Sequence, residues 1–245
     1  MTFILLLCAV TLLAAMVQGV TGFGYALVAA PLMALLLTEK ETILLIVLIF
    51  TTPINFYLFW RYRRYVQLKR MRNLVLPAFL GVGVGTALLP YLPAGVLTLL
   101  IGMISLYLAF TMFIGYRPKL NYKKAVNYAG LASGFFNVTT GLGGPPVVLL
   151  MEQQKLKRRQ MLGSLASFFI ALNIVSIVGI LLTVDVSDRL PGIIMATLPA
   201  GVLGLTLGIH TGSRLNEKYF HRFVQILIMV SGSLALYKGL HTLLG

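Results

Sequence analysis

Apolar residues run along this chain in long uncharged stretches, such as 43–60 and 74–89, with none of the polar/apolar alternation of a strand. Ten such segments can be marked, at about 2–17, 24–37, 42–60, 74–89, 96–115, 125–136, 145–151, 162–183, 190–211 and 222–243. Several are near the roughly 20 residues that a helix needs to cross a hydrocarbon core about 30 Å thick. Bare backbone polar groups are not tolerated in lipid, which leaves helices or a closed barrel, and the absence of alternation selects helices. The pattern therefore predicts an all-α polytopic membrane protein. The segment 125–136 has 12 residues, about 18 Å of helix, too short to cross. The stretch 125–151 is accordingly expected to be a helical hairpin, either re-entrant with its tip near mid-membrane or fully spanning. Its N-terminal counterpart is 1–37, whose first arm is long enough to span.

Composition agrees: of 245 residues 58% are hydrophobic and 11% charged, with a mean hydropathy of +0.92. A net charge of +14 would suggest nucleic acid in a soluble protein, but no nucleic-acid motif is present and the cations collect in four loops. Arg61–Asn73 carries Arg61, Arg63, Arg64, Lys69, Arg70 and Arg72 with no acid. Tyr116–Lys124, Glu152–Gln160 and Gly212–Arg222 carry most of the remaining basic residues. The other loops hold Glu39, Lys40, Glu41, Asp185, Asp188 and Arg189. The positive-inside rule puts the four basic loops in the cytoplasm of an inner membrane and both termini outside. Trp60, Tyr62 and Tyr65 are placed as interface anchors, with the bilayer itself as a partner. Cys8 is the only cysteine, so no disulfide framework or Cys-based metal site is available. It lacks the preceding basic region of a lipoprotein signal, and 1–17 reads as part of the mature chain.

Two halves emerge on alignment. Gln18-Gly19-Val20-Thr21-Gly22-Phe23-Gly24 matches Asn137-Val138-Thr139-Thr140-Gly141-Leu142-Gly143 at a constant offset of 119. Asn55 pairs with Asn173, Pro77 with Pro199, and Gly81/Gly85 with Gly204/Gly208 at nearby offsets. Each half is a hairpin plus three crossings, an odd number of net passes, so the halves are expected to be inverted repeats: 1–115 and 125–245, joined by a cytoplasmic linker at 116–124. Inverted repeats with interrupted helices point to a transporter whose site lies at the repeat interface near the midplane. The glycine pairs suit close static packing of helices better than a sliding surface.

The Thr-Gly-Phe-Gly of the first half, the Thr-Gly-Leu-Gly-Gly-Pro-Pro of the second and the basic loop 61–72 resemble the sulfite exporter TauE/SafE family, also called the toluene-sulfonate uptake permeases. The resemblance covers essentially the whole chain. It implies transport of sulfur-containing anions such as sulfite or organosulfonates.

The residues agree on the sign of the ligand. A helix starts after each glycine tip, and Pro145 and Pro146 suit a first helical turn. Helix N-termini present unpaired N–H groups and partial positive charge, an anion site needing no buried Lys or Arg. Candidate substrate-binding residues are Gln18, Thr21, Gly22, Gly24, Asn55, Asn137, Thr139, Thr140, Gly141, Gly143, Gly144 and Asn173. The alternative for the polar members is helix capping and interhelical bonding. His210 is expected to make a local hydrogen bond instead of relaying protons. No Asp, Glu, Lys or Arg falls mid-segment, which disfavours a carboxylate relay, and no nucleophile or Walker motif accompanies the remaining residues. The expectation is therefore no enzyme, no cofactor and no resident metal, with a small anionic substrate as ligand and homo-oligomerisation left open. The functional expectation is an anion facilitator, in the export direction. The alternatives are a coupled importer of organosulfonate or carboxylate, or a non-transporting accessory protein.

Overall fold

A computed structural model describes residues 2–22, 24–114, 122–152, 154, 156–211 and 217–244. Ten α-helices occupy these residues: α1 (Thr2–Thr21), α2 (Tyr25–Leu36), α3 (Lys40–Tyr62), α4 (Leu68–Leu88), α5 (Ala94–Ile114), α6 (Tyr122–Thr140), α7 (Gly144–Glu152), α8 (Arg158–Thr183), α9 (Leu190–Thr211) and α10 (Glu217–Leu244). Among the described residues seven spans are long and apolar enough to cross a membrane, and they fall in α1, α3, α4, α5, α8, α9 and α10. Their outer faces expose Leu76, Leu182 and Met195, apolar groups that a soluble protein would cover and that lipid covers here.

Two boundaries differ from expectation for a physical reason. The helix expected from residue 74 begins at Leu68, so Lys69, Arg70 and Arg72 sit on its first turns and only Val66 and Gln67 are non-helical in the basic segment. Likewise α6 has 19 residues instead of 12, about 28 Å. Hydropathy undercounts a helix whose end is polar. The basic stretches 116–121 and 212–216 lie outside the described residues.

The described loops sort onto two ends. At one end the Gln67 N–H donates to Ser164 Oγ at 2.9 Å, Arg159 donates to the Tyr65 hydroxyl and Gly163 abuts the Tyr62 backbone. Trp60 is exposed there with the Arg63 guanidinium over its ring at 5.5 Å. At the other end Thr42 donates to Glu39 at 2.8 Å, and Ser187 and Arg189 also act on that carboxylate. Lys40 donates to the carbonyls of Leu89 and Leu92 at the end of α4. Lys238 of α10 donates to Ala34 O at 2.7 Å and, at 3.4 Å, to Leu35 O and Leu37 O, closing the C-terminus of α2 with a cation where the helix dipole favours one.

Packing follows the glycines. α1 lies along α9, α4 along α6, α5 along α10 and α3 along α8. A Cβ on Gly204 or Gly208 would strike the backbone of Leu12 or Met16, and one on Gly81 the backbone of Leu131; Gly85 abuts Phe135 and Val138. These glycines therefore sit where helix backbones touch. The residues they press on, Leu12 and Met16 in one interface and Leu131 and Phe135 in the other, are separated by the same 119 positions as the two tips.

Candidate functional site

Each hairpin turns on a glycine that ends its first helix. Gly22, with φ +81°, donates its N–H to Gln18 O at 2.7 Å; Gly141, with φ +74°, donates to Asn137 O at 3.1 Å. Both are left-handed helix caps, a conformation glycine adopts without a Cβ penalty. Their N–H groups are therefore spent on the helix end and are not free for a ligand, contrary to the role expected for them. Gly24 is the N-cap of α2 with φ +117° and no side-chain cap bond. Gly143 is required by packing: a Cβ would lie 2.7 Å from Asn137 Cβ and 2.8 Å from Ser133 O. Gly144, at the start of α7, has only Phe169 nearby, at 3.8 Å from such a Cβ.

The tips reach past mid-bundle. Gly22 abuts Leu162, four residues into α8, and Gly141 abuts Val47, seven residues into α3. At 1.5 Å per residue each tip lies within roughly 6–10 Å of the far end of its neighbour. The first arms thus nearly traverse the bundle, further than a tip at the centre.

The four amides expected at the site pair within each half. Gln18 Nε2 donates to Asn55 Oδ1 at 3.2 Å, and Asn137 Nδ2 donates to Asn173 Oδ1 at 3.2 Å. Each of the four is 2–3% exposed. The second pair extends further. Asn137 Nδ2 also donates to Ser176 Oγ at 3.0 Å, and Asn173 Nδ2 donates across to Thr51 and Thr52 of α3 at 2.9 and 3.3 Å. Ser133 donates to Gly143 O, fixing the second tip. Both amide hydrogens of Asn137 are used in this way.

The expected threonines spend their hydroxyl protons on their own helices. Thr21, Thr139 and Thr140 each donate to the carbonyl four residues back, at 2.9, 2.7 and 2.7 Å, and Thr140 Oγ1 also accepts from the Leu142 N–H. Such back-bonding is the capping role weighed against substrate binding. His210 donates from Nδ1 to Thr206 O at 2.8 Å and is exposed, the local bond expected of it.

Two residues of the interior were not anticipated. Tyr25, the first residue of α2, is fully buried and stacks on Phe50 with ring centroids 5.9 Å apart and planes 9° apart. Thr11 of α1 is also fully buried and faces the Tyr25 hydroxyl. Neither hydroxyl closes a hydrogen bond of good geometry, and Gln18 Oε1 is likewise buried without a partner. Thr11 was legible in one respect, since it precedes Gln18 by seven residues and shares its helix face. None of the described buried residues is Asp, Glu, Lys, Arg or His. The described residues include no group of three or more His, Cys, Asp or Glu placed to hold a metal. The buried polar side chains of the interior are therefore neutral amides and hydroxyls.

Comparison with known proteins bears on this arrangement. The family model described as Sulfite exporter TauE/SafE matches residues 7–234. No curated protein and no solved structure matches the chain.

Proposed function

Because the chain belongs to the sulfite exporter TauE/SafE family, we propose that it moves small sulfur-containing anions, sulfite or organosulfonates, outward across the inner membrane. The anion is taken up inside the membrane, in the polar interior that the hairpins line. The observation that carries this reading is the interior itself, a line of neutral polar side chains from Gln18 and Asn55 to Thr51, Asn173 and Asn137, with no Asp, Glu, Lys, Arg or His among the described buried residues. A neutral donor-lined interior lowers the cost of desolvating an anion without trapping it. It also carries no group for proton coupling, and export of an anion needs none. An interior-negative potential drives each outward charge by about 2.3 kcal/mol per 100 mV.

We further read the two halves as inverted repeats with the basic end cytoplasmic. The matched caps at Gly22 and Gly141, the matched amide pairs and the matched glycine contacts support the repeat. Cations concentrated at the Arg61–Arg72 end support the orientation.

The experiment is sulfite and methanesulfonate efflux from vesicles containing the purified protein. Efflux that rises with an imposed potential, without a sodium or proton gradient, is expected. Efflux that persists with the potential collapsed but stops when an ion gradient is removed would establish coupled transport instead. Absence of any anion flux would leave a non-transporting role.

A further inference from the structure

We infer that the anion is held by the first half of the chain alone, through Thr11, Gln18 and Tyr25, while the Asn137 cluster of the second half is a structural clamp. This rests on the anion-transport reading and narrows it.

The two halves carry equivalent amide pairs but opposite hydrogen-bond states. In the second half the donors are used by the protein itself: Asn137 bonds Asn173 and Ser176, Asn173 bonds Thr51 and Thr52 of the first half, and Ser133 bonds the Gly143 carbonyl. Its short helix α7 opens Gly144-Pro145-Pro146, and two prolines remove two of the N–H groups that a helix start would offer an anion. In the first half, Thr11 Oγ1, Gln18 Oε1 and the Tyr25 hydroxyl are buried with no hydrogen bond of good geometry, the two hydroxyls facing each other, on residues 0%, 3% and 0% exposed. Helix α2 lacks prolines in its first turn, so it keeps its N–H groups, and its N-cap Gly24 supplies no side-chain bond to them. Buried polar atoms almost always find partners, and a set without them marks a site for something else. Thr86 and Ser105 also have unpartnered hydroxyls, but each sits singly in a helix–helix contact, against Gly179 and Gly232.

Position and chemistry agree. A Cβ on Gly201, central in α9, would lie 2.6 Å from Phe50 and 3.4 Å from Thr11 Cγ2, which places Thr11 and the Tyr25–Phe50 stack at mid-length of the bundle. Gln18 lies two turns further along the same face of α1. Two rotatable hydroxyls and an uncapped helix start are donors suited to the oxygens of a sulfite or sulfonate, joined by the second Nε2 hydrogen of Gln18, whose first goes to Asn55 and whose Oε1 can only accept; the stacked rings form an apolar wall. The three atoms are shielded from solvent, so the arrangement is a closed one. Glycine contacts hold α1 against α9, so entry requires the first hairpin to part from α3.

The test uses the full-length purified protein, with sulfite and methanesulfonate as probes in titration calorimetry and thermal unfolding as a second readout. Tyr25→Phe keeps the ring stack and removes only the hydroxyl; Thr11→Val is nearly isosteric. Each is expected to weaken binding of both anions at least tenfold while leaving the melting temperature unchanged or raised, because an unpartnered buried polar atom contributes nothing to stability. Ser176→Ala and Ser133→Ala are expected to lower the melting temperature and leave affinity within about twofold. The inference is overturned if the parent binds but Tyr25→Phe and Thr11→Val bind equally well. It is also overturned if folded Ser176→Ala weakens binding as much as they do. A parent that binds neither anion overturns the transport reading itself, a distinct outcome.

Discussion

Substituting Gly204 by alanine tests whether the α1–α9 contact is a fixed weld. The added Cβ would lie 2.9 Å from the carbonyl carbon of Leu12 and 3.0 Å from its Cα, and closer still to its carbonyl oxygen. Ordinary carbon contacts begin near 3.5 Å, so the helices must part by roughly 0.5–1 Å, which forfeits a quarter to a half of each contact's dispersion well. With on the order of 20 close atom pairs at about 0.1–0.2 kcal/mol each, the loss is about 0.5–2 kcal/mol. That range overlaps the 1–3 kcal/mol typical of overpacking. Alanine's helix propensity returns roughly 0.5–1 kcal/mol. The control is Gly192→Ala on the same helix, where a Cβ meets nothing within 4 Å, so only the propensity gain of about 0.5–1 kcal/mol remains. The two variants should therefore move in opposite directions, or at least differ by about 1–2 kcal/mol. Denaturant or thermal unfolding in detergent reads the difference, with vesicle flux measured alongside. If Gly204→Ala is as stable as Gly192→Ala, the α1–α9 interface is not the close backbone contact described. If it is less stable yet transports faster, the interface slides instead of holding fast.

Lys238→Met removes the cation that closes the end of α2 and should cost about 1–2 kcal/mol in thermal unfolding, whereas Lys238→Arg should retain most of it. In a Cys8→Ser background, single cysteines at Arg64 and Asp188 should react with an impermeant maleimide from opposite faces of sealed cells, Asp188 from outside; labelling of both from one face would refute the topology. Glu39 ionises below its ordinary 4.5, held there first by the Thr42 hydroxyl and then by Ser187 and Arg189. A carboxyl depressed in the folded state contributes stability above its unfolded pKa and loses it as pH falls through the lower folded value. The stability difference between the parent and Glu39→Gln should therefore shrink as pH drops below about 4.5, and a difference constant across that range would remove Glu39 from the link between its loop and Ser187.

Membrane class and, over the described residues, the helix count and the sorting of loops to two ends were determined by the sequence alone, because lipid leaves little choice. Apolar length sets each crossing, and cations collect where the helices emerge. Gln18/Asn137 and Asn55/Asn173 stood out as matched positions in the sequence, and each match holds one side of an amide pair, Gln18 to Asn55 and Asn137 to Asn173. Helix starts were less legible: Leu68 and Tyr122 head helices whose first turns are too polar to register as apolar. The glycine tips were read as ligand approaches, yet Gly22 and Gly141 cap helices and Gly143 clears room for Asn137. A sequence shows that a position lacks a side chain without showing what occupies the space. The same limit hid Thr11 and Tyr25. Only tertiary packing decides which hydroxyls are buried, and whether they find a carbonyl, as Thr139 and Thr140 do on their own helices, or are left facing inward without one.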